Sequence, residues 1–306
     1  MPDGAAARED ARSSLDALLR CPTCDSPIAV DGAEARCSTG AHRFPVVEGI
    51  PVLVDEETLA ADPQYRSQRA YFDAEFAHYD RYRLENWRVG YLERLRTAGL
   101  LDGPSAPLVD VGVGGSGYTV IEAARAGRPA VGCDLSLEGL LAARRLAAAE
   151  GVADRTLWIC CSAEKLPLAP GTFASALAIA VLEHVPDDLA AVSELARVLQ
   201  PEGRAWVTVP HALRHISPVF RPPNRRHDRR LGHLRRYEAE DLAAAGRRFG
   251  LEADEVQFTG HPVKVLQLVA GRLGDRLWWW CERRDLRASH RRAGSMQLSV
   301  VFRRAR

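Results

Sequence analysis

"DVGVGGSGY", Asp110 to Tyr118, is the stretch on which the fold turns. Its core, Gly112-Val-Gly114-Gly115-Ser-Gly117, matches G-x-G-x-x-G, a loop whose glycines let backbone approach a nucleotide at the start of a helix. Around it the apolar pattern alternates. "PLVDVGV" reads as a strand, Tyr118 to Ala126 as a helix, "PAVGCD" as a strand, Leu137 to Glu150 as a helix and "TLWICC" as a strand. "FASALAIAVL" is a fourth strand, Asp187 to Leu199 a helix with Leu189, Val192, Leu195 and Leu199 on one face, and "GRAWVTVP" a fifth strand. "EAEDLAAAGRRFGLEADEVQF" adds a helix and sixth strand, and "MQLSVVFRR" a last strand, expected antiparallel. The alternation implies an α/β chain with a Rossmann-like, doubly wound, mostly parallel sheet, its ligands at the carboxyl ends of the strands.

The loop alone leaves the nucleotide open. A carboxylate two residues before the first glycine, Asp110, would stand near the diphosphate of a dinucleotide, a repulsion of about a few kcal/mol in a partly dry site. S-adenosylmethionine presents an ammonium and a sulfonium, which the same carboxylate favours. On this reading the sign of the charge decides against a hydride carrier. Asp134, closing the second strand in "VGCDLS", is placed to accept from a ribose diol and serves either nucleotide.

Together, "LVDVGVGGSGY", "GCDLS" and "CSAEKLPLAPGTFASALAIAVLEHV" resemble the class I S-adenosylmethionine-dependent methyltransferases of the type 11 kind, from about Tyr71 onward. The resemblance implies a cofactor site of Asp110, Gly112, Gly114, Gly115, Gly117, Asp134, Leu135, Ser162, Ala163, Glu164 and Ala180. Three departures stand against the family pattern: a glycine loop one residue longer, with Ser116 at a usual glycine, Ser162 for the usual acid before "AE", and Ala174 for the usual acid after Phe173.

Methyl transfer from a sulfonium needs an aligned acceptor, exclusion of water and, for some acceptors, a base. In the resembling families the residues after the fourth strand face the transferring methyl, here Glu183 on the substrate side and His184. His184 reads either as a base or as a strand-end side chain bonded to a loop; His211, beyond the fifth strand, is a second candidate base. Upstream, "QRAYFDAEFAHYDRYRLENWRVGYLERL" carries aromatics at helical spacing, and Tyr71 or Tyr79 would contact the cofactor if this helix is a lid rather than core. "FRPPNRRHDRRLGHLRRY", Phe220 to Tyr237, holds seven arginines and is read as an acceptor-side loop, either gripping an anion or solvated. Its "GHLRRY" resembles the GH-x-R-x-Y turn of small-molecule methyltransferases and nominates His233, Arg236 and Tyr237 for the acceptor. Further on, Val265, Leu268, Val269, Leu273, Leu277 and Trp280 make an apolar stripe, interrupted for any membrane span by Arg272, Asp275 and Arg276.

At the other end, Cys21, Cys24, Cys37 and His42 supply three thiolates and an imidazole, the donors tetrahedral zinc prefers; with all four positions filled by protein the Zn2+ would be structural. The alternative is three buried cysteines and a surface histidine. With "FPVVEGIPVLV" the segment resembles the zinc ribbon of the activator proteins of tRNA methyltransferases, and that heading certain ribosomal RNA guanine methyltransferases. The organisation expected is a ribbon with its tail over 1–58, a helical lid or linker over 59–100, and a methyltransferase domain over 101–306 with insertions at about 211–237 and 261–294.

A net charge of +1 argues against wholesale capture of nucleic acid or membrane. Only Lys165 and Lys264 among 41 basic residues are lysine, a bias that lowers the weight of any single arginine. Seven cysteines and no apolar leader fit a reducing, cytoplasmic compartment. The function expected is methyl transfer to a small-molecule acceptor, anionic or partly apolar. Its rivals are an RNA methyltransferase gripping phosphate through ribbon and arginines, and a non-catalytic binding protein that kept the fold.

Overall fold

The computed structural model describes residues 14–54, 59, 61–102, 106–267 and 274–306. The boundary at 58, residue 60 of the expected lid or linker, and Leu268, Val269, Arg272 and Leu273 of the expected stripe lie outside them. Strands β1 (Ile28–Asp31), β2 (Glu34–Cys37), β3 (Arg43–Val47) and β4 (Ile50–Pro51) form a small antiparallel sheet in that order. Helices α1 (Pro63–Phe76) and α2 (Asn86–Thr97) follow. Asp62 caps α1 by accepting from Gln64 N at 2.7 Å, with Pro63 at the first helical position, so the lid or linker expected from 59 opens on a helix start.

The larger sheet is built from β5 (Leu108–Val111), α3 (Tyr118–Arg125), β6 (Ala130–Asp134), α4 (Leu137–Ala149), β7 (Thr156–Cys160), β8 (Phe173–Ile179), α5 (Asp188–Val198) and β9 (Leu199–Pro210). It is completed by α6 (Arg221–Leu231), α7 (Ala239–Arg248), β10 (Leu251–Thr259), α8 (Asp275–Arg287) and β11 (Gln297–Arg304). Its strand order is β10-β11-β9-β8-β5-β6-β7, with β11 antiparallel to both neighbours and β9 through β7 parallel. Residues alternate between two buried faces: Val109, Leu157, Ile159, Ala176 and Val207 join one core, Leu108, Trp158, Cys160, Leu177 and Trp206 the other. Strand order reverses between β5 and β8, which puts the ligand crevice there.

Glycine is required where the loop crosses that crevice. Gly112 lies at φ +73°, and a Cβ on it would fall 2.4 Å from Val181; Gly117, at φ +54°, would meet Trp158 at 2.6 Å. The small sheet leans on the large one: Val52 bridges in parallel to Cys160, and Leu53 N donates to Cys160 O at 2.8 Å, which covers the β7 edge. Leu15, Leu19, Ile28, Val46 and Leu53 share a core with Leu166 and Leu168. Among the described residues no helix is long and apolar enough to cross a membrane.

Candidate active site

A cavity of about 620 Å3 lies at the carboxyl ends of β5, β6, β8 and β9, within the range of small-molecule sites. Part of its lining follows the parallel strands: Gly112, Asp134, Leu135, Ser162, Ala163 and Ala180. Another part comes from beyond β8: Glu183, His184, Asn224, His227, Leu231, His233, Arg236, Lys264 and Met296.

Asp134 Oδ2 accepts from Gly114 N at 2.8 Å and Oδ1 from Ser136 N at 2.9 Å, so this carboxylate ties the glycine loop to the start of α4. Ala180 is held at φ +58°, with its N–H donating to Thr208 O at 2.8 Å; a left-handed alanine in the lining is local strain kept by the site. Ser162 Oγ accepts from Glu164 N at 3.2 Å, while Glu164 Oε1 accepts from Asp187 N at 2.5 Å, so Glu164 braces the loop from outside the lining. Gly114, Gly115 and Gly117 likewise stand behind the cavity surface.

Asp110 departs from its expected place. It sits on the strand face turned toward α3, accepts a hydrogen bond from Thr119, and is absent from the lining. Burial pushes its carboxyl up to about 7. Sequence proximity to the glycine loop put it near the ligand, but strand alternation turns it into the core, and the argument from its charge falls with it.

The aromatic helix does close over the loop, in a different phase from the one expected. Tyr65, Gln68, Phe72 and Phe76 of α1 line the cavity, at i, i+3, i+7 and i+11, whereas Tyr71 and Tyr79 do not. Phe76 covers Gly115 so closely that a Cβ there would be 2.7 Å from Phe76 Cβ. Ser136 Oγ donates to Asp73 at 2.5 Å, and Gln64 and Gln68 donate to the carbonyls of His184, Gly232 and Leu231 at 2.9–3.2 Å. Tyr79 instead accepts from Arg88 at 3.0 Å.

On the acceptor side, His184 meets Phe72 edge-on at 5.4 Å and His233 at 4.7 Å. Burial, then His233 and His227, pushes His184 down to about 3, and burial pushes Glu183 up to about 8. The arginine-rich segment folds as helix α6 rather than a loop, started by Pro222 and Pro223 and ended by Gly232 at φ +70°. Asn224, His227 and Leu231 face the cavity, while Arg225, Arg226, Arg229 and Arg230 are exposed. Arg236 borders the cavity but its donors are spent on Asp228 at 2.7 and 2.8 Å, His211 O at 2.9 Å and Asn224 at 3.0 Å. Tyr237 lies outside the lining; its hydroxyl is 2.9 Å from Leu182 O and 2.7 Å from Asp188, pinning the segment after β8 to α5. His211, fully buried, lies 2.7 Å from Ser295 Oγ and stacks on His215, also outside the lining.

Sequence reasoning passed over Gln68, Lys264 and Met296. Lys264 had a signal, as one of two lysines in an arginine-rich chain; it pairs with Glu282 and reaches the cavity wall.

In the small sheet, the ligand atoms of Cys21, Cys24, Cys37 and His42 lie within 4.8 Å of one another, with His42 Nδ1 3.5 Å from Cys21 Sγ and 3.7 Å from Cys37 Sγ. A tetrahedral zinc with ordinary Zn–S and Zn–N bonds sets S···N at about 3.6 Å. The donor set and spacing fit zinc.

Residues 109–207 match the family described as "Methyltransferase domain". The chain is 34% identical over 129 residues to norajmaline N-methyltransferase of Rauvolfia serpentina, covering 41% of this chain and 44% of that protein. It is 33% identical over 138 residues to demethylmenaquinone methyltransferase of Corynebacterium kroppenstedtii, covering 44% and 52%. The chain thus spans about half the length of the curated relatives it matches. Geranyl diphosphate C-methyltransferase from Streptomyces coelicolor, solved with S-adenosyl-L-homocysteine, superposes with a TM-score of 0.57 at 18% identity over 80% of this chain and 99% of that one, a likeness of fold. The chain therefore carries a methyltransferase domain over residues 109–207, set in a Rossmann-like methyltransferase fold.

Proposed function

We propose that this protein transfers a methyl group from S-adenosylmethionine to a small-molecule acceptor, with a zinc ribbon as its structural N-terminal module. The observation that carries the reading is one continuous cavity lined both by the strand-end residues Gly112, Asp134, Ser162 and Ala180 and by the histidines beyond β8. The methyltransferase match over 109–207 supports it, as do two relatives whose names specify small acceptors.

S-adenosylmethionine, when bound, supplies a methyl already activated by its sulfonium. Asp134 and Gly112 line the cavity, and Asp134 would accept from the ribose while Gly112 would let backbone approach the nucleoside. Phe72 and Phe76 exclude water above the loop. His184 and His233 orient a polar acceptor atom, while Leu231, Val185 and Met296 hold its apolar part. Cys21, Cys24, Cys37 and His42 would hold the zinc.

The test is incubation of the full chain with S-adenosylmethionine labelled in its methyl group and a cell extract separated into metabolites and RNA. Label is expected in the small-molecule fraction. Label in RNA alone, or none anywhere despite cofactor binding, overturns the acceptor assignment.

A further inference from the structure

At the acceptor end of the cavity, polar atoms of three side chains converge more closely than orienting an acceptor requires. One carboxylate oxygen of Glu183 and one ring nitrogen each of His184 and His233 lie within 4.8 Å of one another. They come from two segments, the turn after β8 and the turn after α6, which Leu234 N joins by donating to Glu183 O at 2.8 Å. Glu183 is 1% exposed and its Oε2 has no hydrogen-bond partner; His184 Nδ1 is likewise buried without one. Buried polar atoms left bare are costly, and two of the three side chains in this group carry one, a combination that a cation would relieve.

His233 supplies the independent observation. Its Nδ1 is 2.9 Å from Asp228 Oδ1, so Nδ1–H donates there and Nε2 carries the lone pair. Asp228 is in turn clamped by Arg236. A carboxylate on the far nitrogen, itself held, is the arrangement that orients metal-binding imidazoles.

We propose that Glu183, His184 and His233 bind one divalent first-row transition cation, with Asp228 as a positioning residue. Two imidazoles and one carboxylate select such cations over magnesium or calcium. Three protein ligands leave coordination positions open, and since all three line the cavity, those positions fit an oxygen-bearing acceptor. A second group, His211, His215 and Glu238, also gathers ligand atoms within 4.8 Å. There Glu238 is already paired with Arg214 and His215 at 2.8 and 2.7 Å, and the imidazoles stack at 5°, so its carboxylate is neutralised without a metal.

The site stands apart from the cofactor reading and is tested separately. Full-length protein, dialysed against chelator until zinc falls to one per chain, is titrated with cobalt(II) by calorimetry. One further equivalent is expected to bind. Glu183→Gln and His233→Ala should each weaken it at least tenfold, Asp228→Asn about tenfold to a hundredfold, and Glu238→Gln not at all. Binding of S-adenosylhomocysteine on the same samples reports on folding and the nucleotide site; cobalt without the nucleoside keeps the cation site and refutes the cofactor reading. No extra cobalt in the wild type, or binding that survives Glu183→Gln/His233→Ala, overturns the proposal.

Discussion

Asp134 and Asp110 sit on neighbouring strands, yet the structure gives them opposite duties. Asp134 reaches the cavity while holding Gly114 N, so Asp134→Ala removes a loop tether and, on the proposed function, the ribose acceptor. Titration with S-adenosylhomocysteine is expected to show affinity lower by about tenfold to a hundredfold, about 1.4–3 kcal/mol. Asp110 is a stability group instead. Its carboxyl titrates near 3.8 when unfolded and is pushed up to about 7 by burial, so between those values the unfolded chain releases a proton that the folded chain keeps. Its contribution is therefore best at low pH and worsens as pH rises through about 7. Asp110→Asn, which still accepts from Thr119, should gain stability relative to wild type between about pH 5 and pH 8, by about 1 kcal/mol or more in urea unfolding, and level off above. A gain independent of pH would contradict this placement. The sequence made Asp134 legible because a strand-end acid has one exit; Asp110 misled because proximity in sequence hid the face its side chain takes.

At the scale of elements, α1 is the piece whose existence was legible and whose phase was not. Aromatic spacing announced a helix, but several stripes satisfied it, and only the contacts choose the stripe of Tyr65, Phe72 and Phe76 over Tyr71 and Tyr79. Three side-chain hydrogen bonds from Gln64 and Gln68 fasten α1 to the turns after β8 and α6. At about 1 kcal/mol each, their loss in Gln64→Ala/Gln68→Ala should raise local opening by at least about tenfold. Amide exchange of α1 is expected to accelerate by that factor while β5 and β8 keep their protection; uniform acceleration would instead mean global destabilisation. The arginine-rich segment shows a related limit. Charge density suggested a loop, while the proline start and glycine stop of α6 were equally present in the letters. Arg236 and Tyr237, nominated for the acceptor, are held by Asp228 and by Leu182 O and Asp188 because the turn has to be built before it can display His233.

For the whole molecule, the alternation of strands and helices from Pro107 onward carried the sheet order, since parallel pairing and right-handed crossovers leave few alternatives. Nothing in the letters said that the small sheet would cover the β7 edge and share a core with Leu166 and Leu168. That sharing couples the two parts. Stripping metal from Cys21, Cys24, Cys37 and His42 is expected to lower the melting temperature of the whole chain by several degrees, in one transition, followed by calorimetry with and without a strong chelator. A separate low-temperature transition, with the main one unmoved, would show the parts to be independent.

Function follows from the nucleotide that the strand-end cavity accepts. Calorimetric titration of the full-length protein with S-adenosylmethionine and with NAD measures it most directly. One S-adenosylmethionine per chain, weakened by Asp134→Ala, and no heat from NAD is the expected result. Saturable binding of NAD with none of S-adenosylmethionine would contradict it.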